Sequence, residues 1–186
     1  MITLPHKQKK PPFLSLGLDL SVNATGVILL EATPTGPKAL LEEEIKIAGE
    51  GLKRKRLIAA RVMEIVHAHK PDRIVIEGYS LAAKNMSSAI PLVELGALVR
   101  LSFQLDGLGW LDPNASQVKK FATGRGNSPK DVVMMHVLKR WGHESKTNNT
   151  ADAFVCAAIG LAHANRLGGT TVEQRAIAGS VKFNVN

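Results

Sequence analysis

The sequence is poor in the residues from which several kinds of site are built. Its one cysteine, Cys156, excludes an internal disulfide, and usage this sparse fits a reducing compartment. His67, His69, His136, His143 and His163 lie at no zinc-like spacing from Cys156, which argues against a structural zinc site. Aromatic residues make up only 4% of the chain, too few for the stacking surfaces of a single-strand binder. Phe121, Trp110 and Trp141 are therefore read as packing residues. No apolar run approaches the length of a membrane span, and the first twelve residues lack the apolar core of a signal peptide. There is no internal repeat and no low-complexity segment. A cytoplasmic protein without a membrane partner is expected.

Acids are scarce as well: 16 Asp and Glu stand against 24 Lys and Arg, giving a net charge of +8. The excess is uneven. Residues 119–146 hold seven basic residues (Lys119, Lys120, Arg125, Lys130, Lys139, Arg140 and Lys146) and two acids, Asp131 and Glu144. A basic surface of this kind favours a polyanion such as nucleic acid, bound through release of counterions. A solvated face is the ordinary alternative.

Against this background three acids stand out by position. Asp19 ends the strand-like run Leu14–Asp19, in which Leu14, Leu16 and Leu18 alternate. Glu77 ends a second run, Arg73-Ile74-Val75-Ile76-Glu77. Asp152 lies at the start of the apolar helical run from Thr150. A carboxylate at the end of a buried strand is costly unless a positive group neutralises it. Taken singly, Asp19 could organise a turn, Glu77 could pair with a lysine, and Asp152 could answer the helix dipole. Together, in a basic chain, they match the few hard oxygen ligands that Mg²⁺ requires.

The pattern along the chain is α/β. A basic tail over 1–13 precedes a domain over 14–165, and a weakly patterned tail follows over 166–186. Three strands, at 14–20, 27–31 and 40–47, read as an antiparallel meander. Helices are expected over 52–68, 88–104, 117–121, 128–141 and 150–164, with strands at 73–77 and 107–111. The helix over 88–104 is apolar on most sides, which implies burial in the core or at a subunit interface. Gly124-Arg125-Gly126-Asn127 before a helix could cradle a phosphate or simply turn the chain. No Lys-Ser or Lys-Thr pair closes it, so it is not a Walker A loop.

The motifs resemble those of RuvC-like Holliday junction resolvases, in the compact form of phage-encoded or bacterial members. The matching stretches are Gly17-Leu18-Asp19-Leu20-Ser21 with Thr25-Gly26; Ile74-Val75-Ile76-Glu77-Gly78-Tyr79; Ala83-Lys84-Asn85; Gln117-Val118-Lys119-Lys120; Gly124-x-Gly126-x-x-x-Lys130; and Ala151-Asp152-Ala153. The resemblance implies an RNase H-like fold, a central mixed five-stranded sheet with helices on both faces. It also implies a homodimer that nicks branched DNA with two Mg²⁺ ions, with Mn²⁺ able to substitute. By position, Asp19, Glu77 and Asp152 take the metal-binding, catalytic places. Lys119, Lys120, Arg125 and Lys130 are expected on DNA, as are Lys84 after the second acid and Tyr79 against a junction base.

One departure matters. Where the family has a further acid about one helical turn before Asp152, this chain has Asn148 and Asn149. Asn149 could be a neutral ligand in a working site, an engineered change, or the mark of a protein that binds junctions and cleaves poorly. Either asparagine could also serve merely as the helix N-cap. A flap or replication-fork nuclease of the same fold is the other alternative. An actin-like nucleotide binder would need a second phosphate loop.

Overall fold

The alternation of leucines in the first strand decides how the molecule is layered. Side chains of a strand point to opposite faces in turn. Leu16 and Leu18 therefore enter one apolar layer with Val27, Leu29, Ile74 and Ile76, while Gly17 faces the other side. The computed structural model describes residues 11–79 and 86–185, without the side chains of 86–88. Within them the elements run β1 (Leu14–Asp19), β2 (Thr25–Thr33), β3 (Gly36–Ile45), α1 (Gly51–His69), β4 (Arg73–Ile76), α2 (Met86–Leu105), β5 (Trp110–Leu111), α3 (Ala115–Thr123), α4 (Lys130–Trp141), α5 (Asn148–His163), α6 (Val172–Ser180) and β6 (Phe183–Asn184).

The strands form one sheet in the order β3-β2-β1-β4-β5-β6. The first three make the expected antiparallel meander. Strand β4 then runs parallel to β1, β5 parallel to β4, and β6 returns antiparallel to β5. The expected mixed sheet with helices on both faces is present, but it has six strands rather than five. The additional strand and α6 come from the segment over 166–186 that lacked a clear pattern in the sequence. Strand β6 is only two residues long, too short to show an alternation. Helix α6 carries a readable start signal, a Thr171/Gln174 capping box. Buried Gln174 also donates from Nε2 to the Phe121 carbonyl oxygen at 2.8 Å, which ties α6 to α3.

Helices α1 and α2 cover the Leu16/Leu18 face through Ile58, Val62, Ile65, Leu95, Val99 and Phe103. The opposite face is covered by α5, with α3, α4 and α6 packed around it. The Trp141 ring lies against those of Phe121 and Phe154 there, as expected of Phe121 and Trp141 as packing residues. Helix α5 is buried from Thr150 to Ala162. Small residues let it lie close on the sheet. A β-carbon on Gly17 would fall 2.5 Å from the Ala157 nitrogen, and one on Gly160 would fall 2.2 Å from Ser15 Oγ. Each fully buried Leu or Ile in these two layers contributes about 1.5–3 kcal/mol.

Candidate active site

The three acids lie on the α5 side of the sheet. Asp19 shares the facing of Gly17, and Glu77 that of Val75, by the two-residue period of their strands. Glu77 lies one residue past β4, and its backbone N–H continues the parallel ladder to the Leu18 carbonyl oxygen at 3.0 Å. Adjacent parallel strands thus end in adjacent carboxylates. Asp152 enters from above, in the first turns of α5. That helix is capped by Thr147, whose side chain accepts from the Thr150 N–H in a reciprocal box. The N-cap is therefore neither Asn148 nor Asn149; both are already helical.

One carboxylate oxygen from each of Asp19, Glu77 and Asp152 lies within 4.8 Å of the other two. Asp152 is buried and the other two are partly buried. None of the three accepts a hydrogen bond from a described residue. Lys130 Nζ lies beside them, 3.9 Å from Asp152 Oδ2. Burial raises the Asp19 carboxyl well above its usual range, and the charges of Glu77 and Asp152 add to the effect. Burial and then Asp152 push Glu77 up to about 7, against the pull of Lys130 and Lys119. Asp152 is raised by burial, with the same two lysines opposing. Crowded carboxylates that hold protons this tightly are short of positive charge. An all-oxygen, anionic donor set suits a hard divalent cation.

A cleft of about 470 Å³ opens beside Asp19, lined also by Ser21, Asn23, Pro91, Lys130 and Asn149. Asn149 thus borders the same space as Asp19. Its side-chain nitrogen points away, donating to the Ala24 carbonyl oxygen at 2.9 Å and to Glu44 Oε1 at 3.1 Å.

The basic residues divide. Lys130 and Lys119 act electrostatically on the acids. Lys120 instead pairs with Glu173 of α6 at 2.9 Å. Arg125 is exposed on the loop before α4 and borders a separate hollow with Thr123, Asn127 and His136. That loop is tied by buried Ser128, which meets Thr123 Oγ1 at 2.7 Å and donates to the Arg125 carbonyl oxygen at 3.0 Å. Tyr79 leans on α2. Its hydroxyl donates to the Val93 carbonyl oxygen at 3.3 Å, and the Arg100 guanidinium lies 4.5 Å from its ring centre. Arg100 is anchored in turn by Asp112 at 2.8 Å. Lys84 lies outside the described residues.

Sequence reading quoted Gly17 and Gly26 only as parts of motifs, without their packing role, and gave Glu44 and Thr147 no role at the site. Gly26 matters because a β-carbon there would fall 2.2 Å from the Asn149 carbonyl oxygen. The strands can approach the start of α5 only where they carry no side chain. A glycine inside an apolar strand was the available signal. Thr147-x-x-Thr150 gives little, since its third residue is not the usual Glu or Gln.

An antiparallel meander continued by parallel strands, crossed by a helix that adds an acid to two strand-end acids, defines an RNase H-like fold with a nuclease-type carboxylate cluster. The family model described as Crossover junction endodeoxyribonuclease RuvC matches residues 15–163. The RuvC of Carboxydothermus hydrogenoformans is 31% identical over 111 residues, covering 59% of this chain and 70% of the relative. That of Rhizobium etli is 28% identical over 167 residues, covering 88% and 96%. Among solved structures, Thermus thermophilus RuvC in complex with Holliday junction substrate superposes with a TM-score of 0.74 at 21% identity, over 92% of this chain and 99% of that one. The chain belongs to the RuvC family of crossover junction endodeoxyribonucleases. Nucleases of this family use divalent metal ions, and the carboxylate cluster is built from donors that suit one. No helix among the described residues is long and apolar enough to cross a membrane.

Proposed function

We propose that this chain nicks Holliday junctions by hydrolysing a phosphodiester bond at the Asp19–Glu77–Asp152 cluster. The observation that carries the reading is the convergence of these acids within 4.8 Å beside Lys130. Asp19, Glu77 and Asp152 would hold two divalent cations, Mg²⁺ with Mn²⁺ able to substitute, and Asn149 borders the same cleft. Bound there, the ions would supply an activated water and neutralise charge on the leaving oxygen. The chain's own contribution is placement. Strands β1 and β4 fix two carboxylates, and the buried α5 fixes the third. Lys130 and Lys119 draw a phosphate toward the acids while holding those acids toward their charged forms. Without a cation, Glu77 retains a proton near neutral pH.

Junction DNA would be held mainly through phosphates, with Lys119, Lys130 and Arg125 in the footprint. Lys120 is the weaker candidate because Glu173 already pairs with it. Tyr79 and, by its place in the motif order, Lys84 would contribute to DNA contact. A homodimer would place two such clusters on strands related by two-fold symmetry. Helix α2 offers the surface for it: Ile90, Val93, Leu101 and Leu105 are exposed along the helix.

The test is nicking of a synthetic four-way junction in Mg²⁺ and in EDTA, with Asp19→Asn in parallel. We expect symmetric nicks in Mg²⁺, none in EDTA, and none from Asp19→Asn although it still binds the junction. Tight binding without cleavage in either Mg²⁺ or Mn²⁺ would instead identify a junction-binding protein. Preferential cutting of flaps or forks run beside the junction would move the substrate class.

A further inference from the structure

The side chain of Asn149 is held by groups from two strands. An amide NH₂ has two hydrogens, and both are used here, one on the Ala24 carbonyl oxygen at 2.9 Å and one on Glu44 Oε1 at 3.1 Å. Two acceptors on the same end leave no choice as to which end is nitrogen. The backbone is held too, since the Asn149 carbonyl lies where a β-carbon on Gly26 would be. No described residue donates to Asn149 Oδ1. Asn149 lines the cleft with Asp19 and Lys130.

Glu44 is itself well held. It ends the acidic run of β3, is partly buried, and pairs with Lys46 at 2.5 Å. Lys46 and the Asn149 amide hold its carboxyl below the usual range. A carboxylate so placed can only accept, so it selects a donor at position 149. An aspartate there would set a second carboxylate against Glu44 and against a backbone carbonyl at hydrogen-bond distance, where like charges repel strongly.

We propose that Glu44 is a positioning residue for the cleft. It fixes the Asn149 amide with its nitrogen toward β2 and β3, leaving the carbonyl oxygen as a neutral ligand for the cleft that Asp19 also lines. Glu44 does not line the cleft itself, and by favouring a neutral side chain at 149 it leaves three carboxylates there rather than four. This rests on the reading of Asp19, Glu77 and Asp152 as the cation site.

Two measurements test it. The first is thermal melting in EDTA of the full chain, Asn149→Asp, Glu44→Gln and the double variant. Asn149→Asp should melt lower by a few degrees, roughly 2–4 °C. Adding Glu44→Gln, which supplies a donor, should recover more than half of that loss. An Asn149→Asp chain that melts with the parent, or one that Glu44→Gln fails to rescue, overturns the proposal. The second is Mn²⁺ titration followed by the spin signal of free ion. Glu44→Ala should weaken binding several-fold, Glu44→Gln should stay near the parent, and Lys46→Ala should not change it. Unchanged affinity in Glu44→Ala would also overturn the proposal. Manganese binding that survives Asp19→Asn would sink the three-acid reading instead, while the melting series still judges the pairing of Glu44 with Asn149.

Discussion

A β-carbon on Gly17 would come within 2.0 Å of the Ala153 carbonyl oxygen. Gly17 precedes Asp19 by two residues on the same face of β1, and Ala153 follows Asp152. The approach of strand to helix and the approach of two acids are therefore one event. Gly17→Ala must push α5 away from the sheet, and overpacking of this kind costs about 1–3 kcal/mol. The variant is expected to melt lower and to lose cleavage with every acid intact. Gly179→Ala on α6, where a β-carbon meets nothing within 4 Å, is the control and should match the parent.

The crowded acids predict an inverted pH dependence when no cation is present. Glu77 holds its proton up to about 7 in the folded chain, against an ordinary 4.5. Between those values the folded state binds more protons than the unfolded one, so stability falls as pH rises. The contribution is complete below 4.5 and lost above 7. Asp19 and Asp152 are shifted in the same direction. His163, held below its usual range by burial and by Arg73, opposes the trend, so the comparison that decides is with Glu77→Gln. In EDTA this variant should show a flatter fall than the parent and melt above it at pH 8. Adding Mn²⁺ should reverse the order.

Lys130 and Lys120 are both basic and close in sequence, yet they are expected to behave differently. Lys130→Ala should weaken junction binding for all sequences and flatten the salt slope by about one unit. It should also raise the pH needed for cleavage, because the acids lose a cation that favours their charged forms. Lys120→Ala should leave the slope nearly unchanged, since Glu173 already occupies that ammonium. Binding measured across a salt series checks both.

Exposed apolar residues on α2 predict self-association. Leu101 and Leu105 are 50% and 77% exposed, although the helix buries Leu95, Val99 and Phe103. Replacing both exposed leucines by Glu should convert a dimer to a monomer by light scattering, with little loss of melting temperature. A parent chain that is monomeric at micromolar concentration would refute the dimer.

The fold and the acids were legible because each acid ends or interrupts an apolar pattern. Alternation at Leu14, Leu16 and Leu18 marks the strand, and Asp19 is where it stops. Helical periodicity likewise found the cores of α1, α2 and α5. What stayed hidden depends on distant partners. Asn149 reads as a missing charge until Glu44, 105 residues away, is seen to accept its amide. Lys120 reads like Lys119 until α6 brings Glu173 to it. Tyr79 reads as a free ring until Arg100 is found across its face. No local pattern encodes these pairings, because each is made by the packing of elements rather than within one.

Strand β6 carries a practical consequence. It pairs with β5 and, with α6, lies beyond residue 163, where the match to the family model ends. Phe183 also places its ring 5.2 Å from the Arg73 guanidinium and 6.3 Å from His163. A minimal fragment cut to residues 15–163 would bare the backbone of Trp110 and Leu111 as an open edge, an invitation to intermolecular pairing. Anyone trimming this nuclease for crystallisation or fusion should keep its last twenty residues.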